Sequence, residues 1–322
     1  MADAPVTLLL NAEIPAPVVS RLRAVSPRVR VVTAAQHRAR PEWLAEAEVL
    51  LTSVADGRLL GEARALRWVQ TLGAGVEWAL TPEVVAREEL VITNASGIHA
   101  QPIAEHIFGL ILMFGRNLHR AALRQRQGEW RSDDLREGLR MLSGSTLGVL
   151  GVGAIGERTG QIGAAFGMRA IGVKRTPAPV AGFERVYGID DLHAFLAESD
   201  YVVNALPLTP ATRGIIGPAE LAAMKPSAIL INIGRGGTVQ TDALVDALRS
   251  RRIAGAGLDV TDPEPLPREH PLWRLENVLL TPHYSGAHPG YSERASEIFL
   301  ENLSRYLDGR PLINVVDKRA GY

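Results

Sequence analysis

Short, continuous apolar runs alternate with helical patterns along this 322-residue chain, and no other feature constrains its fold as much. In the first third the runs are Val6–Leu10, Val29–Val32, Val49–Thr52, Trp68–Leu72 and Val91–Thr93. Segments rich in Pro, Ala, Glu and Arg, such as Pro17–Val25 and Pro41–Ala47, lie between them. Strands that are apolar throughout, not on alternate residues, are buried on both faces, as in a parallel sheet covered by helices. Pro102–Leu123 reads as one long helix, with Pro near its start and apolar residues at Ile103, Ile107, Leu110, Ile111 and Phe114.

The alternation restarts at Leu147. The strand-like runs are Leu147–Val152, Arg169–Val173, Tyr201–Ala205, Ala228–Ile233, Ala254–Leu258 and Val278–Leu280. Helical patterns occupy Ile155–Phe166, Leu192–Ala197, Asp242–Arg251 and Tyr291–Leu307. Six βα repeats of this spacing suit a doubly wound sheet, and two such sheets fit the length. The expected class is α/β, with two doubly wound parallel-sheet domains.

Composition removes several functions. Lys+Arg and Asp+Glu are both 35, so there is no cationic excess of the kind that draws nucleic acid or a membrane surface. There is no cysteine, which excludes disulfides, thiolate nucleophiles and cysteine-ligated zinc. The most apolar stretch, Ile107–Gly115, is far shorter than the roughly 18 residues that span a bilayer. The N-terminus carries no basic region followed by an apolar core. These features lead us to expect a cytoplasmic chain.

Leu150-Gly151-Val152-Gly153-Ala154-Ile155-Gly156 is a G-x-G-x-x-G turn between a strand and a helix. Gly151 permits the tight turn, Gly153 lets backbone approach a pyrophosphate, and Gly156 lets helix pack on strand. The helix start at Ala154 and Ile155 offers unpaired N–H groups to phosphate. A purely structural glycine turn is the bland alternative; the strand before and the helix after favour dinucleotide binding. The next strand should end in an acid that bonds the ribose 2′-OH of NAD. It ends instead in Val173-Lys174-Arg175-Thr176. Lys174, Lys225 and Lys318 are the only lysines, which makes a lysine here conspicuous. Two cations suit a 2′-phosphate, so NADP(H) is favoured, with NAD(H) possible. Solvated residues at a strand end would be the alternative.

Three later segments end predicted strands: Ile231-Asn232-Ile233-Gly234-Arg235-Gly236-Gly237, Gly257-Leu258-Asp259-Val260-Thr261-Asp262-Pro263-Glu264, and Leu280-Thr281-Pro282-His283-Tyr284-Ser285-Gly286. In open α/β sheets the ligand crevice lies at that end. Singly, Arg235 could cap a helix, Glu264 could be a solvated loop charge, and His283 could be structural. His283 and His288 stand at i, i+5, which does not stack two ligands on a helix face, so no metal is expected. Glu105 and His106 read as packing or interdomain residues, and His99 as a residue near the first crossing.

The order and spacing of these motifs resemble the D-isomer-specific 2-hydroxyacid dehydrogenase family over nearly the whole chain, from Leu72-Gly73-Ala74-Gly75-Val76 to Asn314-Val315-Val316-Asp317. The resemblance implies a Rossmann cofactor domain at 99–286, inserted in a discontinuous flavodoxin-like substrate domain at 1–98 and 287–322. It implies His283 as acid/base, Glu264 as the partner on its far nitrogen, and Arg235 as the residue that holds and polarises the substrate. A histidine suits that role near neutrality, where imidazole titrates at about 6.5. Backbone N–H groups around Ala74, Gly75 and Val76 would bind the substrate carboxylate. Asp259 would contact the nicotinamide end. Leu206, Pro207, Thr212, Ile233, Gly234, His283 and Gly286 complete the implied cofactor set. Formate dehydrogenases of this fold carry Gln where Glu264 stands, and phosphoglycerate dehydrogenases often continue into a regulatory domain. The pattern lies closer to glyoxylate/hydroxypyruvate reductases and 2-ketoacid reductases. The expected reaction passes hydride between NAD(P)H and a small 2-oxo acid to give a D-2-hydroxy acid. A corepressor-like dinucleotide sensor of the same fold is the alternative. In relatives the neighbourhood of Gln125–Arg140, with Trp130, helps form a homodimer, although Trp130 could be local packing.

Overall fold

The computed structural model describes residues 4–321. The chain forms two compact units: one joins the segment that ends at Ile98 to the segment that starts at His288, and the other is His99–Ala287. The return crossing falls one residue later than the expected 286/287 boundary.

The first unit holds β1 (Val6–Asn11), β2 (Val29–Val32), β3 (Val49–Thr52), β4 (Trp68–Thr71) and β5 (Val91–Thr93), all parallel, in the order β2-β1-β3-β4-β5. That is the flavodoxin-like order. β3 and β4 are buried at every residue, which explains why their sequences show no polar–apolar alternation; Gln70 and Thr71 of β4 are polar yet buried. One face packs Leu9, Leu50, Val69 and Ile92 against Leu60 and Leu66. The other packs Leu8, Leu10 and Trp68 against Leu22, Phe299 and Leu303. Phe299 and Leu303 lie on the helix Tyr291–Leu307, so the C-terminal segment completes this core. Asn302 on that helix is fully buried and donates to Gln70 Oε1 at 3.2 Å and to the Ile313 carbonyl at 3.0 Å.

The second unit holds β6 (Thr146–Leu150), β7 (Arg169–Val173), β8 (Arg185–Tyr187), β9 (Tyr201–Asn204), β10 (Ile229–Asn232), β11 (Gly255–Leu258) and β12 (Val278–Leu280). Their order is β12-β11-β10-β9-β6-β7-β8, all parallel. Counted from β6 it is the Rossmann order 3-2-1-4-5-6 extended by one strand, with its reversal between β6 and β9. The sheet has seven strands where six were expected. The additional one, β8, buries only Tyr187 and is a strand by virtue of its pairing with β7.

A second correction concerns Pro102–Leu123. The helix there runs Ala100–Gly115, and a separate helix runs Leu118–Arg126. Asn117 between them has φ 52°, a left-handed conformation that asparagine tolerates better than most residues. It is buried, and its Nδ2 donates to the carbonyls of Leu135 and Glu137 at 3.0 and 2.9 Å. The first helix buries an apolar stripe, whereas the second buries no residue. No helix among the described residues is long and apolar enough to cross a membrane.

Candidate active site

The carboxyl ends of β6, β9, β10, β11 and β12 lie along one edge of the second sheet, because all the strands are parallel. The glycine turn leaves β6 at the point where strand order reverses. Gly151 has φ 98°, which a side chain would strain, and an added Cβ would lie 3.1 Å from the Ala205 carbonyl carbon beyond β9. A Cβ at Gly156 would lie 2.6 Å from the Gly151 oxygen, so helix and strand meet only because glycine stands there. Gly153 differs: its φ is −103°, and a Cβ would meet nothing within 4 Å. It is the N-cap of the 12-residue helix Ala154–Ala165, whose first-turn N–H groups lack helical partners. Glycine at 153 is thus required by neither backbone nor packing, which fits a cradle for a pyrophosphate. Gly153→Ala is expected to leave thermal stability unchanged while weakening NAD(P)H binding about 10–100-fold, because the overpacking falls on the complex alone. Calorimetric titration beside a melting curve checks both halves.

The other residues expected at the cofactor are more varied. Lys174 is half-buried, and Arg175 and Thr176 are exposed past the end of β7. Leu206 N donates to Asn204 Oδ1 at 3.3 Å, and Thr212 Oγ1 donates to the Pro207 carbonyl at 2.6 Å, which fixes the loop after β9. The Ile155 side chain packs against the core, and Ile233 lies within it, so both can offer a ligand chiefly backbone. A Cβ at Gly234 would sit 2.5 Å from the Leu206 oxygen. Gly286 lies against His99, whose Nδ1 is 3.4 Å from its carbonyl.

Arg235 leaves β10 on a loop held by three buried polar side chains. Asn204 Nδ2 donates to Asn232 Oδ1 (3.1 Å) and Thr238 Oγ1 (2.7 Å). Thr238 Oγ1 donates in turn to the Arg235 carbonyl (2.6 Å), and Asn232 Oδ1 accepts from Gly234 N (3.2 Å). Sequence reading missed Asn204 and Thr238. Their one trace is a polar residue in an otherwise apolar strand or loop, a weak signal.

His283 Nδ1 lies 2.6 Å from Glu264 Oε1. The bond to a carboxylate puts a proton on Nδ1 and leaves Nε2 as the working nitrogen. The Glu264 loop is tied to the Arg235 loop: Thr261 N donates to Glu264 Oε2 at 3.4 Å, and Gly236 packs directly on the Thr261 carbonyl. His283 has φ 51°, unusual for a residue with a side chain. Its N–H donates to the Asp259 carbonyl at 2.8 Å and the Thr281 carbonyl at 3.0 Å.

Asp259 organises that turn. Its carboxylate accepts from Thr281 Oγ1 (2.6 Å), Tyr284 N (3.2 Å) and Ser285 N (3.0 Å). Burial alone would raise its pKa, but the hydroxyls of Ser285 and Thr281 and the two N–H groups hold it below the usual carboxylate value. The carboxylate is therefore charged throughout the neutral range.

The Ala74–Val76 loop belongs to the other unit. It is pinned by Asn94 Nδ2, which donates to the Ala74 carbonyl at 2.9 Å. Val76 points its side chain into that unit's core.

The class of protein follows from comparison with known chains. Residues 108–285 match the D-isomer specific 2-hydroxyacid dehydrogenase NAD-binding domain. A glyoxylate reductase of Aeropyrum pernix is 40% identical over 276 residues, 84% of this chain and 82% of that one. A D-isomer specific 2-hydroxyacid dehydrogenase family protein of Aeromonas salmonicida superposes with TM-score 0.85 at 33% identity, covering 98% of this chain and 100% of the other. An NADPH-dependent glyoxylate/hydroxypyruvate reductase of Sinorhizobium meliloti, solved with NADP and sulfate, gives TM-score 0.84 at 29% identity over 99% and 100% of the two chains. The chain belongs to the D-isomer specific 2-hydroxyacid dehydrogenase family. It is an NAD(P)-dependent oxidoreductase.

Proposed function

We propose that this enzyme reduces small 2-oxo acids to D-2-hydroxy acids and prefers NADP(H). The reading rests above all on the 2.6 Å His283–Glu264 pair at the sheet edge that carries Arg235 and the glycine turn. When bound, the cofactor supplies the hydride for the carbonyl carbon. His283 holds the proton for the carbonyl oxygen at Nε2, while Glu264 accepts the Nδ1 proton's hydrogen bond and orients the ring. Arg235 binds the carboxylate of the 2-oxo acid with its two-pronged donor and draws electron density from the carbonyl. In this reading His99–Ala287 is the cofactor domain and the other unit the substrate domain. The names of the Aeropyrum and Sinorhizobium reductases support glyoxylate-sized substrates.

The cofactor preference rests on Lys174 and Arg175, where an acid would favour NAD. Loss of a charge-assisted contact costs about 1.5–3 kcal/mol. Lys174→Asp is therefore expected to shift the kcat/KM ratio for NADPH over NADH at least about tenfold toward NADH. An unchanged ratio removes the preference argument. Assays of glyoxylate, hydroxypyruvate and phenylpyruvate with both cofactors test the whole reading; tight cofactor binding with negligible turnover on all of them contradicts it.

We also propose a homodimer formed through the segment 118–141. Trp130 is fully exposed there, and Met141, Leu123 and Leu118 are each at least half exposed, apolar surface that association would bury. A monomeric mass in solution contradicts it.

A further inference from the structure

One partner of the Asp259 cluster lies outside the catalytic, substrate and cofactor residues named above. His106, on the helix Ala100–Gly115, has Nε2 3.0 Å from Thr281 Oγ1 and 3.8 Å from Asp259 Oδ1. Thr281 Oγ1 has one proton, and it points to Asp259 Oδ1 at 2.6 Å. A carboxylate has none to return, so toward His106 the hydroxyl can only accept. The proton between them therefore belongs to His106 Nε2, which fixes the tautomer of this imidazole.

We propose that His106 is a positioning residue for the acid–base turn: its Nε2–H orients the Thr281 hydroxyl onto Asp259, and Asp259 then locks the turn Thr281–Ser285 that carries His283. The proposal rests on the dehydrogenase reading of His283. The local physics supports it. Burial lowers the pKa of His106, with Asp259 opposing, so the ring stays neutral and keeps one donor. Ile103, Ile107 and Leu110 on the same helix are buried and hold its backbone in place. The Tyr284 ring stands edge-on to the imidazole at 5.2 Å. The His283 backbone has a left-handed φ, so it holds its place only while its neighbours over-determine it.

Three variants test the relay. His106→Phe keeps a planar ring and loses the donor, Thr281→Val removes the middle hydroxyl, and His106→Gln keeps an N–H at a similar reach. The relay predicts that His106→Phe lowers kcat about tenfold, the loss of one hydrogen bond, and that Thr281→Val, which removes two, lowers it at least as much. KM for the 2-oxo acid and Kd for NADPH should stay within about twofold, since His106 is assigned a role only through Thr281 and Asp259. His106→Gln should recover most of kcat. Two further readouts need no turnover: long-range nitrogen-15 correlations should show the Nε2–H tautomer at His106, and amide exchange at Tyr284 and Ser285 should accelerate in His106→Phe. Equal kcat in the Phe and Gln variants, an Nδ1–H tautomer, or unchanged exchange overturns the proposal. An inactive parent enzyme with the expected tautomer and exchange overturns the dehydrogenase reading and leaves the relay standing.

Discussion

Replacement of His283 by Gln is expected to lower kcat for 2-oxo acid reduction by about 10²–10⁴-fold, the usual contribution of a positioned general acid. Gln can still donate a hydrogen bond but cannot deliver a proton, so the alkoxide would form without one. Cofactor affinity should change little, because the glycine turn and the residues after β7 are untouched. The turn itself is held by main-chain donors to Asp259, from Tyr284 and Ser285, that the substitution keeps. Steady-state rates together with a fluorescence titration of NADPH separate the two effects. Comparable rates in variant and parent refute the acid–base assignment; a parallel loss of cofactor binding would mean the variant had disturbed the turn.

The second large effect is expected at Gly236. An added Cβ there would lie 1.9 Å from the Thr261 carbonyl oxygen and 2.1 Å from its carbon. Both neighbours are backbone, so no side chain can swing away. Gly236→Ala must push the Arg235 loop off the Thr261–Glu264 loop, at a cost of about 3 kcal/mol in overpacking. Displacing Arg235 by about 1 Å should further lower kcat/KM about 100-fold. A melting curve and kcat/KM together read this out. A variant with parental stability and parental activity contradicts the tight approach of the two loops. Sequence alone shows a run of three glycines around Arg235 but not which of them meets backbone.

What the sequence makes legible, and what it does not, has a physical pattern. β12 and the helix Tyr291–Leu307 occupy the residues expected for them. The first is an apolar run stopped by Thr281-Pro282 and only partly buried, and the second has a long apolar stripe that it buries, so local pattern alone marks both. β8 was illegible because its three residues are a strand only through β7, a non-local contact. The break at Asn117 was illegible because its cause lies at Leu135 and Glu137, 18 and 20 residues away. The candidate site divides the same way. Arg235, Glu264 and His283 stand out as chemically capable residues at strand ends. Asn204, Thr238 and His106 act through hydrogen bonds to distant partners, and nothing in their local sequence announces those partners.

In the proposed reaction one histidine–glutamate pair runs a stereospecific reduction. Chiral analysis of the product formed from a prochiral 2-oxo acid such as hydroxypyruvate tests it most directly. With NADPH in excess, consumption of cofactor is expected to be matched by the D-2-hydroxy acid alone. Formation of the L-enantiomer or a racemate, or an absence of NADPH consumption across the substrate panel, contradicts it.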